Sequence, residues 1–267
     1  MHIQELSEHV RAHRISPVEI VKACLERIEE LNPTLNAFIT VLKEPALEAA
    51  QVAEVEIKAG NWRGPLHGIP VGIRDFHDTA GIRTTAAFEH LKNRVPQRDA
   101  NSVAKLKNAE AIVIGKTNMH QLGMGTTGMD SYFGPVLNPW NPAYIPGGSS
   151  SGSAVAVASQ MCYATLDTDA IGSCRLPAAC CGVVGFKGHH KYRSRPKEYC
   201  RTGVSGCRYS IVANDYSDDP GDPRRRCKPT GALRRKYGIR ELLRAACSQR
   251  PLRLRQQWRA YWITNSR

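Results

Sequence analysis

The run Gly147-Gly-Ser-Ser-Ser-Gly-Ser-Ala-Val-Ala-Val-Ala158 decides how the rest of the chain is read. By composition alone, its first seven residues match a flexible Gly/Ser linker. Its neighbours point elsewhere: Pro139, Pro142 and Pro146 stiffen the approach, and the exit is the small apolar run 154–158. A glycine-rich turn that feeds straight into a helix N-terminus gathers backbone N–H groups and hydroxyls at one point, as an anion-handling site requires and a linker does not. Further on, Thr168-Asp-Ala-Ile-Gly-Ser-Cys-Arg-Leu-Pro177 sets Ser173 in a tight turn beside Asp169 and Arg175. In isolation that segment reads better as a polar loop held by an Asp169–Arg175 pair, and only its combination with the serine run favours a site.

Outward from these segments, short apolar runs alternate with helical patterns. Ser16-Pro17-Val18-Glu19 predicts a helix start, with Ser16 as N-cap, Pro17 at the first helical position and Glu19 completing a capping box. Ile20, Val21, Leu25, Ile28 and Leu31 then recur at helical spacing until Asn32-Pro33, where the helix is expected to end. Residues 37–42 predict a buried strand, and 45–59 a second helix closed by Gly60. Further strands are expected at 69–73, 111–114 and 163–166, with helices at 100–109 and 153–160. This alternation argues for an α/β fold around a largely buried sheet. Beyond Lys187 periodicity fades. Residues 188–226 cluster Arg, Pro, Asp and Ser, and 237–247 carry only a weak helical pattern.

The 267 residues are 42% apolar and 23% charged, which excludes a chain disordered throughout. No stretch approaches the ~18 uninterrupted apolar residues of a membrane helix, and the opening residues MHIQELSEHVRAHR lack the regions of a secretory leader. A cytoplasmic protein without membrane contact is therefore expected, and its nine scattered cysteines suit reduced thiols. The net charge of +13 is lopsided: residues 1–187 hold 17 Lys+Arg against 18 Asp+Glu, while 188–267 hold 20 against 6. The whole basic excess belongs to the final segment. With Tyr192, Tyr199, Tyr209, Trp258 and Trp262 interspersed, that segment reads as a nucleic-acid arm, as a solvated extension, or as a continuation in a shifted reading frame. The abrupt change in composition favours the last.

Other motifs carry less. Gly123-Met-Gly-Thr-Thr-Gly128 spells G-x-G-x-x-G, but prolines follow where a dinucleotide site needs a helix. Gly115-Lys-Thr117 has Glu110 where a P-loop has its first glycine. Dispersed histidines and the adjacent Cys180-Cys181 lack metal-ligand spacing, so neither a metal nor a cofactor is expected.

Three segments in order, Gly64-Pro-Leu-His-Gly-Ile-Pro-Val-Gly-Ile-Arg-Asp75, the run 147–153, and Thr168 to Pro177 continuing to Gly182-Val-Val-Gly-Phe-Lys187, resemble the amidase signature family of serine amide hydrolases over residues 1–187. The resemblance implies an α/β/α sandwich with a mixed, largely buried sheet, incomplete here because the family's second half is not recognisable in the basic segment 188–267, which its composition leads us to expect to be poorly ordered. It implies a Ser-Ser-Lys triad with Ser173 as nucleophile, Ser149 beside a cis peptide bond as proton relay, and residue 74 as the base. It also implies an oxyanion hole from the backbone N–H groups of Ala170, Ile171 and Gly172, with Ser150 bonding inside the site and Asp169 and Arg175 supporting the turn.

Residue 74 is Arg74, not lysine. Burial lowers a lysine toward neutrality, whereas a guanidinium stays charged and cannot accept the relayed proton. Hydrolysis is therefore expected to be impaired, and Arg74→Lys to restore it. The expected partner is a small-molecule amide. Two alternatives stand beside this: an A-subunit-like component of a tRNA-dependent amidotransferase that uses glutamine with partner subunits, and a non-catalytic protein that binds nucleic acid through the basic tail.

Overall fold

The first long helix begins with a reciprocal cap. The Ser16 hydroxyl accepts the Val18 N–H at 3.0 Å, and the Glu19 carboxylate accepts the Ser16 N–H at 3.0 Å. The computed structural model describes residues 2–188 and the backbone of residues 209–213. In chain order the elements are α1 (Ile3–Arg11), α2 (Pro17–Leu35), β1 (Phe38–Val41), α3 (Lys43–Lys58), β2 (Pro70–Arg74), α4 (Asn101–Asn108), β3 (Ile112–Thr117), α5 (Ser151–Ala158), β4 (Ala164–Thr168), α6 (Arg175–Cys181), β5 (Val184–Lys187) and β6 (Tyr209–Ala213).

The strands form one mixed sheet in the order β1-β3-β2-β4-β6-β5. Strands β3, β2 and β4 run parallel at its centre, β1 is antiparallel to β3, and β6 is antiparallel to both β4 and β5. Every residue of β2 and β4 is buried, the pattern of strands covered on both faces. One face packs through Val21, Leu25, Ala50, Val155 and Ala178, drawn from α2, α3, α5 and α6. The other packs through Leu6 and Val10 of α1 and Val103 and Leu106 of α4 against Val71, Ile73 and Leu166. The result is an α/β/α sandwich.

A bulge in β3 decides which side chains reach the site. Val71 pairs with Val113 but Gly72 pairs with Gly115, leaving Ile114 as the extra residue. Ile112 and Ile114 pack with α5, and after the bulge it is Thr117 that faces α5, sharing a 2.7 Å hydrogen bond with Ser153. Lys116 is thereby turned to the opposite face.

Several sequence expectations need correction. Helix α2 runs past Asn32-Pro33, because a proline in the last turn removes only one helical hydrogen bond. It closes instead at Asn36, in left-handed conformation, whose side chain donates to the Phe133 carbonyl at 2.9 Å. Strand β1 is an edge strand with an exposed Val41, not a buried one. Helices α1 and α6 and strands β5 and β6 were not expected; each is short, and a run of four to nine residues shows too little periodicity to be recognised. Strand β6 falls inside the segment that reads as aperiodic. The helical pattern at 237–247 and the rest of the basic tail lie outside the described residues. Among the described residues, no helix is long and apolar enough to cross a membrane.

Removing the Ser16 cap with Ser16→Ala is expected to lower stability by about 1 kcal/mol. Urea unfolding should show this as a lower midpoint with an unchanged slope.

Candidate active site

Parallel strands β2 and β4 end side by side, and α/β sheets place their ligand sites beyond such carboxyl ends. Arg74, the last residue of β2, is fully buried there. Its Nη2 donates to Ser149 Oγ at 2.8 Å, and its Nη1 donates to Ser150 Oγ at 2.9 Å, to Thr168 Oγ1 at 2.6 Å and to the Thr168 carbonyl at 3.1 Å. The Gly148–Ser149 peptide bond is cis. The Ser149 carbonyl accepts the His120 N–H at 3.0 Å, and the Ser150 N–H donates to the Ser173 carbonyl at 2.9 Å. Arg74, Ser149, Ser150 and the turn bearing Ser173 therefore meet at the N-terminal end of α5. Ser149 and Ser150 are buried, while Ser173 is partly open to solvent.

The turn around Ser173 is held by one carboxylate. Buried Asp169 accepts the N–H groups of Cys174 and Arg175, each at 3.3 Å, the Arg175 side chain through Nε at 2.9 Å and Nη2 at 3.0 Å, and Lys187 Nζ at 3.0 Å. Burial alone would raise the Asp169 pKa, but the hydrogen bonds and charges of Arg175 and Lys187 outweigh it and hold the carboxyl well below the usual range. Lys187 also donates to the Ala170 carbonyl at 2.7 Å, a brace that sequence reading did not find. The left-handed φ of 145° falls on Gly172, so Ile171 needs no special backbone, and its side chain is 88% exposed.

Sequence reading noticed the glycines at 123–128 but not their packing role. A Cβ on Gly123 would stand 3.1 Å from Arg74 Nη2 and 3.8 Å from Ser149 Oγ, and one on Gly148 would stand 2.9 Å from the Gly125 carbonyl oxygen. The G-x-G-x-x-G pattern thus serves close packing over the serine run. Sequence reading set the pattern aside as a dinucleotide site and gave it no other role.

A second buried cation lies nearby. Lys116 Nζ donates to the His77 carbonyl at 2.7 Å, Thr84 Oγ1 at 2.6 Å and Thr79 Oγ1 at 3.1 Å, with Asp75 Oδ1 at 3.7 Å. Burial lowers its pKa to about 8, against the pull of Asp75. All three ammonium protons have acceptors, and β3 directs this side chain to the face away from Ser149. No group of three or more His, Cys, Asp or Glu among the described residues is placed to hold a metal ion.

The Amidase family model matches residues 19–211. This chain belongs to the amidase signature family. Over 185 residues it is 50% identical to the glutamyl-tRNA(Gln) amidotransferase A-subunit of Geobacter metallireducens, covering 69% of this chain and 38% of that protein. Among solved structures it is similar to the peptide amidase of Stenotrophomonas maltophilia, with a TM-score of 0.65 and 34% identity over 68% of this chain and 39% of that one. It is also similar to the glutamyl-tRNA(Gln) amidotransferase A-subunit of Thermotoga maritima, with a TM-score of 0.57 and 34% identity over 70% of this chain and 38% of that one. This amidase-family chain thus spans less than two fifths of the length of these relatives. The family match continues past Lys187 and ends within β6.

The Asp169 cluster predicts a pH signature. A carboxyl depressed in the folded state contributes stability above its unfolded value of about 3.9, and loses it as pH falls below that. Asp169→Asn should therefore be less stable than the parent chain at pH 7. In urea unfolding at successive pH values, the gap should narrow steadily below about pH 4.

Proposed function

We propose that this chain carries the nucleophile and relay portion of an amide hydrolase site. The supporting observation is the buried cluster in which Arg74 bonds Ser149 and Ser150 while Ser150 is tied to Ser173. Ser173 Oγ attacks the carbonyl carbon of a carboxylic amide and passes its proton to Ser149. The N–H groups of Ala170, Ile171 and Gly172 hold the developing oxyanion. The relay returns a proton to the leaving nitrogen as the C–N bond breaks, and water then hydrolyses the acyl-enzyme. Asp169, Arg175 and Lys187 keep the turn in place.

Arg74 alters the relay. It donates to the Ser149 hydroxyl and orients it, but takes up no proton from it. Loss of a positioned base costs on the order of 10²–10⁴ in rate, so hydrolysis is slow. The 50%-identical relative is named as part of a tRNA-dependent amidotransferase, which favours a second reading: glutamine as the amide, with further subunits as partners.

A fluorophosphonate probe tests the assignment. Slow labelling that disappears in Ser173→Ala and falls by about 10²-fold or more in Ser149→Ala is expected. Labelling indifferent to Ser173→Ala, or none at all, would overturn it.

A further inference from the structure

Among the described residues, the buried Asp, Glu, Lys and Arg side chains are Arg74, Asp75, Lys116, Asp167 and Asp169. Asp75 faces Lys116 at 3.7 Å, and Asp169 is bound by Arg175 and Lys187. The other two are Arg74 and Asp167, and the sheet sets them together. The parallel register Val71 to Ala164, Gly72 to Thr165 and Ile73 to Leu166, continued by one residue, brings Arg74 beside Asp167 on the same face. Asp167 Oδ2 accepts Thr165 Oγ1 at 2.6 Å. Its Oδ1 makes no bond of full hydrogen-bond geometry, and the Ser153 and Ser150 hydroxyls stand beside the carboxylate. Ser150 is the same hydroxyl that accepts from Arg74 Nη1.

The oxygens of Ser149, Ser150 and Thr168 satisfy guanidinium donors but carry no charge, and a buried charge is tolerated when an opposite one lies close. We infer that Asp167 is the buried counter-charge of residue 74, holding any ionisable cation there in its charged form, and so is a positioning residue that sets whether the Ser149 relay can end in a base. This rests on the relay reading given under Proposed function. It has a consequence for the lysine reversion. An ammonium at position 74 would sit beside a carboxylate that favours the protonated form, so Arg74→Lys alone leaves little neutral amine at pH 7.

Among the described residues, the other titratable groups around the pair do not supply that charge. His77, after β2, has its pKa pushed down to about 3 by burial, helped by the charges of Lys116 and Arg74. The Cys162 and Cys174 thiols, ahead of β4 and α6, are pushed up by burial and by neighbouring carboxylates or thiols. All three are neutral at pH 7. The Asp75–Lys116 pair balances within itself, and Asp169 is outweighed by its own two cations, Arg175 and Lys187, so neither group offers a spare negative charge. Burial raises the Asp167 pKa, opposed by the Thr165 and Ser153 hydroxyls, the Arg74 charge and the Ser150 hydroxyl.

Two measurements on the full chain test the inference. In the first, the pH profile of fluorophosphonate labelling is compared between Arg74→Lys and Arg74→Lys/Asp167→Asn. The rising limb, where labelling increases as the amine deprotonates, should shift down by about 1–3 pH units when the carboxylate is removed, so that the double variant labels roughly 10-fold to 10³-fold faster at pH 7. Superimposed limbs would overturn the inference. In the second, urea unfolding of the parent chain, Asp167→Asn, Arg74→Met and Arg74→Met/Asp167→Asn forms a cycle that needs no activity. Asp167→Asn should weaken the parent chain and weaken Arg74→Met far less, with a coupling of about tenfold or more in the unfolding constant. Additive effects would overturn it. Coupling in the cycle with no labelling of either lysine variant at any pH would uphold the charge pair and overturn the relay.

Discussion

A guanidinium sealed from water at the end of β2 constrains everything around it. Its N–H groups must find oxygen within the protein, because an unmatched donor beside a buried charge is costly. Three separate stretches meet there: β2 itself, the glycine-serine run with Ser149 and Ser150, and the end of β4 with Thr168. Meeting that demand draws the run under the N-terminus of α5 and ties it to the turn that carries Ser173.

The packing works because the residues in between are small. Helix α5 is buried on nearly all sides, and a Cβ on Gly152 would run into the backbone oxygens of Ala37 and Asn118. Glycines at 123 and 128 let a second loop lie on the run, while Gly125 makes room for the His120 ring. The run is therefore neither linker nor isolated anion nest. It is the layer between two loops and a helix, with its hydroxyls aimed at a cation on the sheet.

Two kinds of chemistry sit close together in this arrangement. On one face Lys116 is saturated by three oxygens and an adjacent carboxylate, a structural cation. On the other, Arg74 bonds the serine hydroxyls directly. The bulge at Ile114 separates them by reversing which strand residues point to which side. An arginine serves well as an orienting group at such a position and fails as a base for the same reason, its permanent charge.

What the sequence determined by itself is local and chemical. The Ser16 cap follows from residues in direct succession, the parallel strands from continuous apolar runs, and the candidate serines and Arg74 from three motif segments taken together through their resemblance to the amidase signature family. What only the tertiary structure decided depends on pairing between distant strands. The bulge sends Lys116 away from the site, the register places Asp167 next to Arg74, β6 enters between β4 and β5, and Lys187 reaches back to Asp169. Asp167 looks like any polar residue near a strand end until the neighbouring strand shows that its side chain shares a dry face with a fixed positive charge. Strand register and burial are properties of the assembled sheet, set by which hydrophobic faces can be covered together, and no window of a few residues contains them.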